Sequence, residues 1–249
     1  MSPSGSSTGD GGRPAAAVVW HDVECGGYTA DLPLWLELAA GADGPILDVG
    51  AGTGRVALGL ARAGHAVHAL ERDPDLAGAL EERARGLAVV CIVGDACAFT
   101  TRLRFPLCIV PMQTIHLLED RPAFLRCAHA ALEPGGRLAI ALLGDGVEEF
   151  EMELDADRAS VDGVLYESRP TALRYQPGAI VLERRRRTET GKLVQSADDL
   201  VRLAVIDPDD LAADARAVGF VRLESRWVAP TADQVGSEIL MLVRPAGPS

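Results

Sequence analysis

The residues best suited to binding chemistry lie close together in the chain. Ile46-Leu-Asp-Val-Gly-Ala-Gly-Thr-Gly54 is a short apolar run that carries Asp48 and ends in three alternate glycines, Gly50, Gly52 and Gly54. A second apolar run, His65 to Leu70, ends in Glu71. A buried strand, a tight loop that only glycine can make, a helix opening and an acid at the next strand end place backbone N–H groups and a carboxylate around a nucleoside-bearing cofactor. The glycines read GxGxG. A dinucleotide fingerprint wants GxGxxG, and Arg55 stands where its third glycine would be, which argues against NAD(P). No GK[ST] follows, so the P-loop pattern fails.

These elements need positioning, and the chain alternates accordingly. Strands are expected near 45–49, 66–71, 88–93, 107–111 and 137–143, with helical spacing over 53–63, 74–85, a short piece near 97–103, and 120–132. Asp73-Pro74 is a helix start and Gly64 a helix stop. Asp31 is expected to cap a helix with Pro33 in its first turn. Glu133-Pro-Gly-Gly136 makes a turn into the fifth strand. This grammar calls for parallel strands with right-handed crossovers.

After Leu143 the grammar changes. Residues 162–206 are rich in β formers, and Ala179 to Arg187, Thr190-Gly191 and Lys192 to Gln195 read as a hairpin. A helix is expected from about Pro208 to Val218, stopping at Gly219. Phe220–Val228 and Glu238–Val243 read as a closing antiparallel pair. No internal repeat is visible.

At these residues the chain resembles the class I S-adenosylmethionine-dependent methyltransferases. Ile46 to Gly54 matches the family's first motif and Glu71 its acid on strand two. Gly94-Asp95-Ala96 matches the residues after strand three, and Leu132-Glu-Pro-Gly-Gly-Arg-Leu138 the turn and strand after the fourth helix. Tyr28 and Asp31-Leu-Pro-Leu-Trp35 resemble the N-terminal segment that small-molecule members fold over the cofactor. Pro106, after Phe105, stands where strand four often begins with an acid. The likeness covers about 20–145 well and the remainder more loosely.

The resemblance implies S-adenosylmethionine as cofactor, held by Tyr28, Asp48, Gly50, Ala51, Gly52, Gly54, Arg55, Glu71, Arg72, Asp95, Ala96, Pro111 and Gln113. In it Asp48 answers the methionine ammonium, loop N–H groups from Gly50 to Arg55 take polar atoms of the tail, Glu71 takes both ribose hydroxyls and Asp95 the adenine amino group. Each acid also has a plain structural reading: a strand-end cap, a solvated loop acid and an ordinary turn.

Methyl transfer from a sulfonium is an in-line displacement on an activated group, so holding acceptor and methyl aligned supplies much of the catalysis. A base is needed only for a protonated acceptor. His116, after strand four, is the candidate, against a histidine that merely packs or caps. The Asn-Pro-Pro-Tyr tetrapeptide of nucleic-acid amino methylases is absent.

Other polar groups read as structural. His21, Asp22 and Glu24 cluster, but no second histidine at helical spacing makes them a metal set, and no metal is expected. Glu148, Glu149 and Glu151 suit a solvated face. Arg184 to Arg187 alternate sides if they form a strand, two toward a pocket and two toward solvent.

The bulk composition bounds the rest. The chain has 249 residues, 48% hydrophobic, with net charge −12 and a pI near 4.8. It can build a core, and its field repels phosphate backbones and anionic lipid, so neither nucleic acid nor membrane is an expected partner. Lysine occurs once, at Lys192. Five cysteines without CxxC suit a reducing cytoplasm, with Cys91 and Cys108 as core residues. No apolar run reaches the roughly 20 residues of a membrane span.

The expected architecture is an α/β, Rossmann-like doubly wound methyltransferase sheet with an antiparallel β lid inserted after strand five. Its parts are a disordered tail (1–14), an N-terminal helical cap (15–44), a cofactor-binding core (45–145), a lid or substrate insertion (146–206) and a C-terminal helix with closing strands (207–249). The expected activity is methylation of an oxygen or nitrogen of a small molecule, with a homodimer possible through the inserted strands. The rivals are non-methylating chemistry on the same sulfonium, such as cyclisation, and a catalytically silent cofactor-binding scaffold.

Overall fold

The computed structural model describes residues 14–144, 147–231 and 235–247. The expected N-terminal tail lies outside them except for Pro14. Eight strands form one sheet. In spatial order they are β3 (Val89–Val93), β2 (Val67–Glu71), β1 (Ile46–Val49), β4 (Phe105–Val110), β5 (Leu132–Leu143), β13 (Ser237–Val243) and β11 (Val221–Arg222), with β12 (Arg226–Val228) also pairing with β13. The first five are mutually parallel and β13 runs antiparallel to β5. The order reverses between β1 and β4, and an open α/β sheet has its ligand crevice beyond the strand ends at such a point.

The central strands read as continuous apolar runs because both their faces are covered. Every residue of β1 and β4 is buried. Ile46, Val67, Ile109 and Ala139 pack on one face with residues of α2 (Leu32–Ala40), α3 (Arg55–Arg62) and α4 (Pro74–Arg83). Leu47, Val49, Cys108 and Ile140 pack on the other with α6 (Arg121–Ala131) and α7 (Pro208–Val218). A four-residue helix, α5 (Thr114–Leu117), follows β4.

The capping signals are largely realised. Asp73, Asp120 and Asp207 each accept a backbone N–H of the following turn, with proline in that turn. Asp31 differs. It sits at the start of α2, but its carboxylate makes no cap bond and instead accepts from Trp35 Nε1 and Arg55. The expected helix near 97–103 does not form; turns and bends fill that stretch. Residues 133–136 belong to an irregular start of β5, where the register against β4 shifts between Phe105 and Leu107. The stretch 220–228 breaks into two short strands around Leu223 to Ser225.

The second sheet is antiparallel throughout. It comprises β6 (Phe150–Glu151), β7 (Asp157–Val161), β8 (Val164–Gln176), β9 (Ala179–Thr190) and β10 (Leu193–Ala204), in the order β10-β9-β8-β6 with β7 also on β8. β9 and β10 form the expected hairpin over twelve residue pairs, with Gly191 at φ +59° in its turn. Pro170 is accommodated in β8 at a register shift.

One helix joins this sheet to the body. α1 (Ala16–Cys25) lays Val19 and Val23 against Val164 and Tyr166, with Trp20 edge-on to the Tyr166 ring at 5.1 Å. Its other side packs on α4. No helix among the described residues is long and apolar enough to cross a membrane.

Candidate active site

A cavity opens at the switch point, over the carboxyl ends of β1, β2 and β4. Its walls include Asp48, Gly50, Ala51 and Arg55 from the first loop, Glu71 and Arg72 after β2, Gly94 to Ala96 after β3, and Pro111 to Thr114 after β4. Chain-distant parts of the expected donor site therefore converge. Apolar surface comes from Val56, Leu70, Leu76, Leu117 and Leu118.

Asp48 is the most unusual group in it. It is fully buried, and neither carboxylate oxygen has a hydrogen-bond partner within the described chain. Burial pushes its carboxyl up to about 7, against the pull of the nearby Arg55 guanidinium. A buried acid without a partner is costly unless something supplies one.

Glu71 is held from several sides. Its Oε2 accepts the Gly52 N–H at 2.8 Å, while Oε1 accepts those of Arg72 at 2.8 Å and Asp73 at 2.9 Å. Asp95 lines the cavity and its Oδ1 accepts the Cys97 N–H at 2.8 Å, an Asx turn.

The glycine loop leaves fewer free donors than expected. The N–H groups of Gly50 and Ala51 both point to Leu70 O, that of Gly52 goes to Glu71, and that of Gly54 to Ala51 O. Polar atoms of a ligand's tail are thus left to the first turn of α3. Two glycines have specific reasons to be there. Gly50 has φ +72° and a Cβ would collide with Thr114; Gly52 has φ +56° and a Cβ would collide with the imidazole of His21. Met112, at φ 52°, holds a strained backbone at the cavity lip.

Arg55 lines the cavity, and its side chain has a further task. Its guanidinium makes a two-pronged pair with Asp31, at 2.5 and 2.7 Å, and a bond to Tyr28 O, 5.1 Å above the Tyr28 ring. Both partners of the pair are nearly inaccessible (9% and 3% exposed), so removing one strands a buried charge at about 3–5 kcal/mol. Tyr28 does not line the cavity; its ring and carbonyl instead hold Arg55.

His116 is not placed as a base. It lies outside the cavity wall, and both ring nitrogens meet backbone: Nδ1–H donates to Ala204 O at 2.8 Å, and Nε2 accepts from Leu143 N at 3.0 Å. Burial lowers its pKa, which keeps it neutral. With Nε2 already engaged, no lone pair is free to take a substrate proton. The sequence does not betray this, because the partners lie at the ends of β5 and β10.

Conversely, His21 and Cys25 of α1 do line the cavity. His21, Asp22 and Glu24 face different ways. Asp22 meets Arg83 and Thr53, Glu24 meets Arg186 and Ser168, and His21 lies on the glycine loop. No cluster of metal-binding type occurs among the described residues. The only signal for His21 was its place in a polar segment ahead of the first strand. None of Arg184 to Arg187 lines the cavity; Arg186 binds Glu24 and Asp199, while Arg185 turns outward to Glu153 and Asp198. Glu149 accepts the Tyr175 N–H and Glu151 meets Arg174, so both serve the lid sheet.

Residues 46–136 match a family described as a methyltransferase domain. Over this stretch the chain is similar to a methyltransferase domain. Its fold is that of class I S-adenosylmethionine-dependent methyltransferases. A sugar N-methyltransferase from a Streptoalloteichus species superposes with TM-score 0.75 at 17% identity, covering 98% of each chain. An amino pentose methyltransferase from Micromonospora echinaspora, solved with S-adenosylmethionine bound, gives 0.70 at 19%, covering 91% of this chain and 96% of its own. A S-adenosylmethionine-dependent methyltransferase from Clostridium acetobutylicum gives 0.69 at 11%, with coverage of 91% and 96%. A search of curated protein sequences found no match. The second sheet belongs to the shared architecture, since the superpositions span nearly the whole chain.

Proposed function

We propose that the protein transfers the methyl group of S-adenosylmethionine to an oxygen or nitrogen of a small molecule. The observation that carries this is Asp48: a buried carboxylate, unpartnered, at the strand end of a methyltransferase domain. A methionine ammonium is a group of the right sign and size to complete it. When bound, the cofactor supplies a methyl group already activated by a positive sulfur.

The chain's own residues then bind and orient. Asp48 holds the ammonium, the remaining lone pair of Glu71 takes a ribose hydroxyl, and Asp95 faces the adenine amino group. First-turn N–H groups of α3 meet the carboxylate of the tail. Leu70, Leu76, Leu117 and Leu118 give the cavity its apolar wall. Pro111 and Gln113 stand at the carboxyl end of β4, where Gln113 can hydrogen-bond ligand. With His116 engaged by backbone, alignment rather than proton abstraction by that residue carries the reaction.

The acceptor we would try first is an amine of a sugar, because the neighbours from Streptoalloteichus and Micromonospora are named for such substrates. Titration calorimetry with S-adenosylmethionine tests the donor; absence of binding, or undiminished binding by Asp48→Ala, removes it. Product analysis tests the chemistry. S-adenosylhomocysteine with a methylated acceptor is expected, whereas 5′-methylthioadenosine would point to intramolecular displacement.

A further inference from the structure

Glu71 does not have room for two ribose hydroxyls. An ionised carboxylate offers about four acceptor positions. Three are already taken by the N–H groups of Gly52, Arg72 and Asp73, with Oε1 receiving two of them. One position remains, on Oε2. A ribose carries two adjacent hydroxyls, so the second needs another acceptor close to Gly52.

His21 stands at that place. Its imidazole covers Gly52 so closely that a Cβ there would meet Nε2, and it lines the cavity. The state of the ring follows from its neighbours. The Thr53 hydroxyl has one proton and gives it to Asp22 Oδ1 at 2.7 Å. Its oxygen can therefore only accept from His21 Nδ1, 3.2 Å away. Asp22 is fixed in turn by a two-pronged contact from Arg83, at 2.9 and 2.5 Å. With the proton pinned on Nδ1, the lone pair lies on Nε2. Burial lowers the His21 pKa, outweighing the opposing pull of Asp22, Glu71 and Glu24, while Arg83 lowers it further. The ring is thus neutral near pH 7 and an acceptor.

Resting on the donor reading above, we propose that His21 Nε2 accepts one hydroxyl of the cofactor ribose while Glu71 takes the other. The donors on the ligand sort themselves by position: the ammonium belongs with Asp48, the adenine amino group with Asp95, and the ribose hydroxyls with the Glu71–Gly52 corner. The chain Arg83–Asp22–Thr53–His21 is what presents the acceptor, and the acceptor itself stands on α1, held through Thr53 of the glycine motif and Arg83 of α4.

The test compares S-adenosylhomocysteine with its 2′-deoxy and 3′-deoxy forms in calorimetric titrations of the wild type and His21→Ala. The variant should bind S-adenosylhomocysteine roughly five- to tenfold more weakly, the worth of about one hydrogen bond. Against one deoxy form the variant should lose nothing further, and against the other the loss should persist. Thr53→Val keeps the ring but releases its tautomer, and should show a smaller loss with the same ligand pattern; it also answers the question should His21→Ala fail to fold. An equal loss against all three ligands would mean that His21 only supports the loop, and a loss below twofold would mean that it does nothing here. Either result overturns the proposal. A wild type that binds none of the three overturns the donor reading itself, a distinguishable outcome.

Discussion

The two sheets of this protein solve the same problem of burying a strand in different ways. In the parallel sheet the central strands are covered on both faces, and Asp48 is the one charged residue in β1 and β4. In the antiparallel sheet β10 is largely exposed, with Leu193 and Leu200 at 62% and 61%. There, arginine–carboxylate pairs run across the strands: Arg158 with Glu167, Arg174 with Glu151 and Glu183, Arg185 with Asp198. A charge in those central strands is therefore an event, and one in the second sheet is upholstery. The lid is bound to the body at few points, chiefly α1 and His116.

The sharpest way to break this contrast is to neutralise Asp48. Asp48→Asn should weaken S-adenosylmethionine about 100-fold, the scale of a lost hydrogen bond between charged groups. The ligand-free protein should respond oppositely. An acid whose pKa is raised on folding stabilises the fold fully below its unfolded value, near 3.8, and loses that stability as pH rises through about 7. The wild type should thus lose up to about 4 kcal/mol between pH 4 and pH 8 from this group alone. Denaturant titrations of both proteins across that range check it. Parallel pH dependence in the two would show that Asp48 is not the source.

His116 tests the lid's attachment. His116→Ala leaves the partly buried Leu143 N–H and Ala204 carbonyl without their partner, at about 1–3 kcal/mol. Hydrogen exchange should accelerate first at the two ends of the lid, near 143 and 204, while β1 and β2 stay protected. Uniform acceleration would mean that the lid and the core unfold as one body.

Smaller effects belong to the ion pairs. Glu24 meets Arg186 in a two-pronged contact between side chains 10% and 25% exposed. A double-mutant cycle with Glu24→Gln and Arg186→Met should give about 1–2 kcal/mol of coupling. Arg185→Ala, whose partners Glu153 and Asp198 stand in solvent, should cost about 0.5 kcal/mol or less. If the second loss matched the first, the distinction between docking and surface pairs would fail.

The same contrast explains what the sequence disclosed. The core was legible because its signals are local: the apolar run before Gly50, Asp73-Pro74, Gly219 after Val218. The doubly wound sheet and the inserted antiparallel strands followed from such signals, while the converging residues Asp48, Glu71, Asp95, Pro111 and Gln113 came with the family resemblance that the glycine motif carries. What stayed hidden depends on partners far apart in the chain. His116 looked like a base because Leu143 and Ala204, 27 and 88 residues away, were not visible as its partners. His21 looked structural because Gly52 and Thr53 lie across a whole helix and strand. The Arg55–Asp31 pair was hidden because nothing in the sequence says that Asp31 leaves its capping role to make it.

α1 touches both halves of the active site. Val19, Val23 and Glu24 grip the lid, while His21 and Asp22 grip the cofactor loop, all within two turns of one helix. A ligand that shifts this helix from either side changes the fit on the other. By thermodynamic linkage such a coupling is reciprocal: any factor by which cofactor tightens acceptor is the factor by which acceptor tightens cofactor. The strength of that coupling would then be set by a ten-residue rod rather than by the pocket itself.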